Sequence, residues 1–311
     1  MQVHPQIAVA LEALKNANLP PMDTLEPDAA RKMMAAMSAA RGGEPTAVRK
    51  VEDRTIPGPA GEIPVRIYWP DEDGVRGGMA YYHGGGHVIG NLETHDKICR
   101  NLCAGGGVVV ISVDYRMGPE HKFPAAVDDC WAALEWMAAN GDELSVDPAK
   151  LIVAGDSAGG NLAGVVALMA RDAGAPELAL QVLIYPVGDY TLSAESYKTF
   201  GTGYGVLTDK AMGWFQGHYL NSLADAEDWR ASPLKVGSFA GVAPAIVIVA
   251  ECDVLSDDGK AYGEALQAAG IETEFALYKG MIHGFFGMAP DVDDAVAAQA
   301  QVSAAVRKAA G

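Results

Sequence analysis

The chain has 311 residues, half of them hydrophobic and a fifth charged, which gives enough apolar matter for a large buried core and too little charge for a disordered chain. With 23 Lys and Arg against 40 Asp and Glu, the formal charge is −17 and no basic tract offsets it. Nucleic acid and anionic membrane surfaces are therefore poor partners for it.

The N-terminus, MQVHPQIAVALEALKNANLPP, lacks a basic n-region, and Glu12 and Lys15 interrupt its apolar stretch, so it does not read as a secretion signal. Ile7, Leu11 and Leu14 instead mark one face of a short amphipathic helix. A second helical segment, DAARKMMAAMSAAR, follows. No apolar run approaches the ~20 residues that span a bilayer, and a cytoplasmic location is the expectation. Cys99, Cys103, Cys130 and Cys252 show neither C-x-x-C spacing nor a dense disulfide pattern, and read as core fillers.

Strand-like runs then appear at VRKVEDRTI, IPVRIYWP, GGMAYYH, GVVVISVDY, LIVAGD, LALQVLIYP, AIVIVAE and TEFALYK. From the third onward, helical segments separate them, near 94–104, 124–140, 157–173, 208–220, 257–269 and 290–309. Alternation of this kind predicts an α/β protein with a mostly parallel eight-stranded sheet covered by helices on both faces. Two regions stand outside the alternation, residues 1–45 and residues 188–230. The second is too long and aromatic for an ordinary connection. Both are read as one helical cap over a single catalytic core formed by 46–187 and 231–311.

Two glycine-rich stretches follow apolar strands: YYHGGGHVIG at 81–90 and LIVAGDSAGG at 151–160. Glycine is expected where a chain turns sharply or another group must approach the backbone. Gly155-Asp156-Ser157-Ala158-Gly159 fits G-x-S-x-G between a strand and a helix, the setting in which a serine hydroxyl projects above a sheet. A serine needs a base to take its proton and donors to hold the oxyanion. The HGGG at 83–86 points to the donors, expected at Gly84, Gly85 and Ala158. Of seven histidines, His283 in GMIHGFFG lies just after the last strand and is the candidate base, while His83 is expected to orient the glycine loop and His87 to line the pocket. The acid that fixes the imidazole tautomer is expected at Asp253, directly after AIVIVAEC. Glu251, Asp257 and Asp258 compete for that role, but Ser256, Asp257 and Asp258 read as caps of the next helix.

With these residues in hand, nearly the whole chain resembles the hormone-sensitive-lipase-like esterases, or bacterial family IV. The likeness rests on HGGGHVIG, DYRMGPEHKFPAA at 114–126, GDSAGG at 155–160, LIYP at 183–186, SPL at 232–234, the Asp253 segment and HGF at 283–285. It implies an α/β-hydrolase fold, the Ser157, Asp253 and His283 triad with Gly84, Gly85 and Ala158 as oxyanion donors, and a helical cap. It also implies hydrolysis of short to medium acyl esters as small-molecule substrates, with no cofactor or metal. Cis bonds at Gly118-Pro119 and Phe123-Pro124 and a homodimer through the last strand and C-terminal helix follow from the same likeness. Two departures stand out: DVLSDDG replaces the usual D-P-L-x-D-E-G, and His87 occupies a position usually aromatic. Tyr204, Trp214, Phe215, Phe285 and Phe286 are candidate pocket walls, with a core role as the alternative. A non-catalytic small-molecule receptor on the same fold is the competing function, and the retained His283 argues against it. A dehydratase on this scaffold would carry threonine where Ser157 stands.

Overall fold

The computed structural model describes residues 2–40, 43–201, 204 and 206–311. Met1, Arg41, Gly42, Thr202, Gly203 and Gly205, all inside the segments assigned to the cap, lie outside the described residues. Eight strands form one sheet: β1 (Lys50–Gly58), β2 (Gly61–Trp69), β3 (Arg76–Tyr82), β4 (Val109–Val113), β5 (Val146–Asp156), β6 (Leu178–Ile184), β7 (Ala245–Cys252) and β8 (Thr273–Ile282). Their order is β1-β2-β4-β3-β5-β6-β7-β8. The first two strands pair antiparallel, β2 also runs antiparallel to β4, and every later pairing is parallel. Each of the eight predicted strands is present. β4 is buried along its whole length and β7 at all but one position, as expected where helices cover both faces.

The helices are α1 (Pro5–Asn16), α2 (Pro27–Ala40), α3 (Leu92–Gly106), α4 (Ala125–Ala139), α5 (Gly141–Leu144), α6 (Ala158–Ala173), α7 (Glu195–Phe200), α8 (Asp209–Tyr219), α9 (Ser256–Ala268) and α10 (Asp293–Ala310). The short α5 and α7 escaped the sequence reading because neither is long enough to show a helical period. Caps set several boundaries. Asn91 and Thr94 form a capping box at the start of α3, and left-handed Gly107 ends it. The four cysteines are buried and free. Among the described residues, no helix is long and apolar enough to cross a membrane.

The main core fills both faces of the sheet. A smaller, separate apolar cluster joins Ala30 of α2, Val88 and Ile89 of the glycine loop, and Ala211 and Phe215 of α8, with Met22, Leu25 and Met34 packed against it. The N-terminal segment and the insertion thus meet each other over the loop that follows β3. On the far side, the 118–124 turn holds the end of α8. Lys122 Nζ donates to the carbonyls of Gly217 and Leu220 at 2.9 and 2.8 Å, where a cation is favoured by the free carbonyls of a helix end. The Gly118-Pro119 and Phe123-Pro124 bonds in that turn are cis.

Candidate active site

Four strand ends deliver the site. β5 runs into Ser157, β7 into Asp253, β8 into His283, and β3 into the His83–Gly86 loop, all at the carboxyl edge where parallel sheets gather their ligands. Ser157 has φ 57° and ψ −117°, a backbone conformation that costs a non-glycine residue and persists only where surroundings enforce it. Here a strand and a helix nearly touch around it. A Cβ at Gly159 would lie 1.8 Å from the Tyr82 carbonyl oxygen, and one at Gly155 would lie 2.2 Å from that of Gly159. The Ser157 N–H donates to the Ile184 carbonyl at 2.8 Å, locking the turn to β6.

The three side chains expected to act together are brought together. His283 Nδ1 lies 2.7 Å from Asp253 Oδ2, and His283 Nε2 lies 3.0 Å from Ser157 Oγ. With the ring proton held on Nδ1 by the carboxylate, Nε2 carries the lone pair and the serine hydroxyl donates to it. Asp253 is itself fixed by the Leu255 N–H, which donates to Oδ1 at 3.0 Å. The competing acids are engaged elsewhere. Glu251 accepts the Gly280 N–H at 2.7 Å. Asp257 and Asp258 do begin α9, but they do not cap it. Asp258 Oδ2 accepts the N–H groups of Gly188 and Asp189 at 3.0 and 3.3 Å, and Asp257 Oδ2 accepts that of Ser196 in α7 at 2.8 Å. Their carboxylates are spent on the root of the insertion, a long-range pairing that no local pattern announces. Burial raises the Asp258 carboxyl to about 7.

The glycine loop differs in one respect from the expectation. The Gly84 N–H is already taken, donating to Asp156 Oδ1 at 3.0 Å. Among the described residues, no acceptor takes the N–H groups of Gly85, Gly86 or Ala158. Their directions follow from the carbonyls of the same peptide planes, because N–H and C=O point opposite ways across a trans peptide. The Gly84 carbonyl faces His83 Nδ1 at 2.8 Å, which turns the Gly85 N–H away from that ring. The Gly85 carbonyl accepts from Val88 and Ile89 at 3.0 and 2.9 Å, which turns the Gly86 N–H out of that turn. His83 must carry its proton on Nδ1 to make this bond, and burial, with His95 nearby, lowers its pKa to about 3. It is neutral and orients the loop, as the sequence suggested.

Asp156 is the residue the sequence reading passed over. Its Oδ1 accepts the Tyr81 hydroxyl at 2.7 Å as well as the Gly84 N–H, and His95 Nε2 lies 3.4 Å away. Burial alone would push this carboxyl up, but His95 and the Tyr81 hydrogen bond outweigh it and bring the pKa to about 2. The carboxylate therefore stays ionised. His87, with φ 58°, is fully buried against Tyr219 at 3.8 Å between ring centroids. Neither of its ring nitrogens finds a partner among the described residues, and burial lowers its pKa to about 3. Phe215 lies over Gly86, where a Cβ would come within 2.2 Å of the ring. Phe285 and Phe286 belong to the main core.

Comparison with known proteins agrees with this architecture. A profile of the α/β-hydrolase fold family matches residues 79–287. The carboxylic ester hydrolase LipN of Mycobacterium tuberculosis is 43% identical over 84% of this chain and 70% of its own length. The ethyl acetate hydrolase of Pseudomonas putida is 37% identical over 95% of both chains. Among solved structures, the hyperthermophilic esterase of Pyrobaculum calidifontis superposes with a TM-score of 0.94 at 40% identity, over 99% of each chain. The chain belongs to the α/β-hydrolase fold family and, within it, to the hormone-sensitive-lipase-like carboxylesterases.

Proposed function

We propose that the protein is a serine carboxylesterase in which Ser157 is the nucleophile, His283 the base and Asp253 the acid. The observation that carries this reading is the unbroken relay from Asp253 to His283 to Ser157, at 2.7 and 3.0 Å. Ser157 Oγ attacks the ester carbonyl carbon while His283 Nε2 takes its proton, and Asp253 balances the imidazolium that forms. The carbonyl oxygen becomes an oxyanion, and the N–H groups of Gly85, Gly86 and Ala158 are the donors suited to hold it. The start of α6 adds its positive end of the helix dipole at the same place. Collapse expels the alcohol, which takes its proton from Nε2. Water then attacks the acyl-enzyme through the same base and releases the acid and Ser157.

Short to medium acyl esters are the substrates this site favours. Ser157 is only 8% exposed, and Phe215 of α8 lies directly on Gly86. The N-terminal segment and residues 188–230 act as the cap, sharing the apolar cluster above the glycine loop. The names of the ester hydrolase relatives support the same class of substrate.

The test is hydrolysis of p-nitrophenyl esters from acetyl to palmitoyl, with Ser157→Ala as control. Serine-dependent turnover that is greatest on the shorter chains is expected. A folded protein that turns over none of them would refute the reading and return weight to a receptor on this fold.

A further inference from the structure

Four carbonyls of the glycine loop, those of Gly84, Gly85, His87 and Val88, are each held by a donor, and one of those donors comes from the N-terminal segment. Gly84 and Gly85 are held from within, by His83 and by the Val88 and Ile89 N–H groups. The His87 carbonyl accepts the Gly118 N–H at 2.8 Å. The Val88 carbonyl is taken by Arg31 of α2, whose Nε donates to it at 2.8 Å. The same guanidinium donates through Nη2 to the Gly118 carbonyl at 2.8 Å. It therefore ties the glycine loop and the 118–124 turn together at a point next to where the turn already holds His87. Glu120 fixes the guanidinium in turn, with Nη1 and Nη2 donating to its two carboxylate oxygens at 2.8 and 2.7 Å. This is the bidentate geometry that restrains an arginine most. Asp28 adds a more exposed contact at 3.2 Å.

We infer that Arg31 is a positioning residue for the oxyanion donors, so that the N-terminal segment sets the chemical step as well as covering the site. The inference rests on the serine esterase reading above. Gly85 and Gly86 lie at φ 119° and 61°, a region with low intrinsic preference for one backbone state in glycine. Such a stretch holds its N–H groups in register only through its anchors. Val88 N–H and C=O belong to the turn that sets the Gly85-Gly86 peptide plane, and Arg31 grips that turn from its far side. Losing the grip leaves the substrate free to bind but misaligns donors that matter most when charge develops on the carbonyl oxygen.

The experiment compares the unsubstituted protein with Arg31→Met, which keeps an apolar stem and loses every donor, and Arg31→Lys, which keeps one charged donor. Asp28→Asn serves as the control that leaves both carbonyl bonds intact. Readouts are kcat and KM on p-nitrophenyl butyrate and the inhibition constant of an alkyl trifluoromethyl ketone, whose hemiketal adduct with Ser157 Oγ places an oxyanion on the donors. Arg31→Met is expected to lower kcat about tenfold with KM within about twofold, and to weaken the ketone by the same factor as kcat. Arg31→Lys should recover part of both, and Asp28→Asn should change neither. A change in KM or in thermal midpoint alone, with kcat and ketone inhibition untouched, would overturn the inference while leaving the esterase reading intact. If Arg31→Met does not accumulate as folded protein, the lysine variant decides by the same comparison. Absence of serine-dependent hydrolysis in the unsubstituted protein would remove the reading and the inference together.

Discussion

The Asp156 carboxylate accepts the Gly84 N–H at 3.0 Å, so the residue immediately before the candidate nucleophile holds the first glycine of the loop opposite. Nucleophile and donors are thereby spaced by one buried side chain. Asp156→Ala strands the Gly84 N–H and the Tyr81 hydroxyl without an acceptor, and each stranded buried group costs about 1–3 kcal/mol. Part of that loss should appear in the donors' alignment. We expect kcat on a short ester to fall roughly 100-fold, the scale set by removal of a single oxyanion donor, with little change in KM. Asp156→Asn retains an acceptor oxygen and should lose less. Steady-state kinetics on the two variants checks this, and equal losses in both would point to the charge rather than the hydrogen bonds.

Ser157 sits at φ 57°, where a side chain is strained and glycine is not. Ser157→Ala and Ser157→Gly should both be inactive, but they should differ in stability. Alanine keeps the Cβ and its strain, whereas glycine relieves it, so the glycine variant should be more stable than the alanine variant by about 1 kcal/mol. Urea denaturation of the pair measures the difference, and its absence would mean that the turn carries no strain to relieve.

The eight strands were legible because each is a short apolar run bounded by turn residues, and the sheet's parallel character followed from the intervening helices. Ser157, His283 and Asp253 were legible because each directly follows a strand, so its place at the sheet edge depends on chain order alone. The roles of Asp156, Arg31 and Asp258 were not. Arg31 meets Val88 and Gly118 across 57 and 87 positions of chain, and Asp258 meets Gly188 across 70. Such contacts depend on tertiary packing and leave no periodicity or spacing to read. Gly84 illustrates the same limit: the HGGG run identifies the loop, but only the position of Asp156 decides which of its N–H groups remain free.

Buried titrating groups set the acid limb of stability. His83 and His87 are lowered to about 3 by burial, against about 6.5 in an unfolded chain. Between those values the unfolded state binds the extra protons, so each histidine makes stability rise with pH and fall on acidification through that window. Asp258 has the opposite sign. Burial raises it to about 7, so from about pH 4 to 7 the folded state holds its proton and stability falls as pH rises. In the shared window, from about pH 4.5 to 6.5, two protons favour one direction and one the other. Each histidine therefore steepens the fall of stability on acidification, and Asp258 offsets part of it. Asp258→Asn should steepen the fall of stability on acidification across this window, and His87→Phe should make it shallower. Urea midpoints measured across the window check both signs. A His87→Phe protein with an unchanged slope would show that His87 is not held neutral.

Glycines in this chain are required at some positions and replaceable at others, and the same substitution should separate them by sign. At Gly159 an added Cβ would stand 1.8 Å from the Tyr82 carbonyl oxygen. That atom belongs to β3 backbone and cannot move without disturbing the centre of the sheet. Gly159→Ala should destabilise by more than about 4 kcal/mol, within the exceptional range that marks a direct steric conflict, and should not accumulate as active protein. At Gly213 and Gly217 of α8 nothing among the described residues lies within 4 Å of the added atom. Both occupy a helix that already has a Thr208 cap, so alanine there only reduces the conformational freedom lost on folding. Each substitution should stabilise by about 0.5–1 kcal/mol. Thermal denaturation of the double variant Gly213→Ala and Gly217→Ala should therefore show a raised midpoint with activity retained. A lowered midpoint would mean that α8 needs to bend or shift where the structure shows it straightforwardly helical, and a folded, active Gly159→Ala protein would mean that α6 does not press on β3 as closely as 1.8 Å implies.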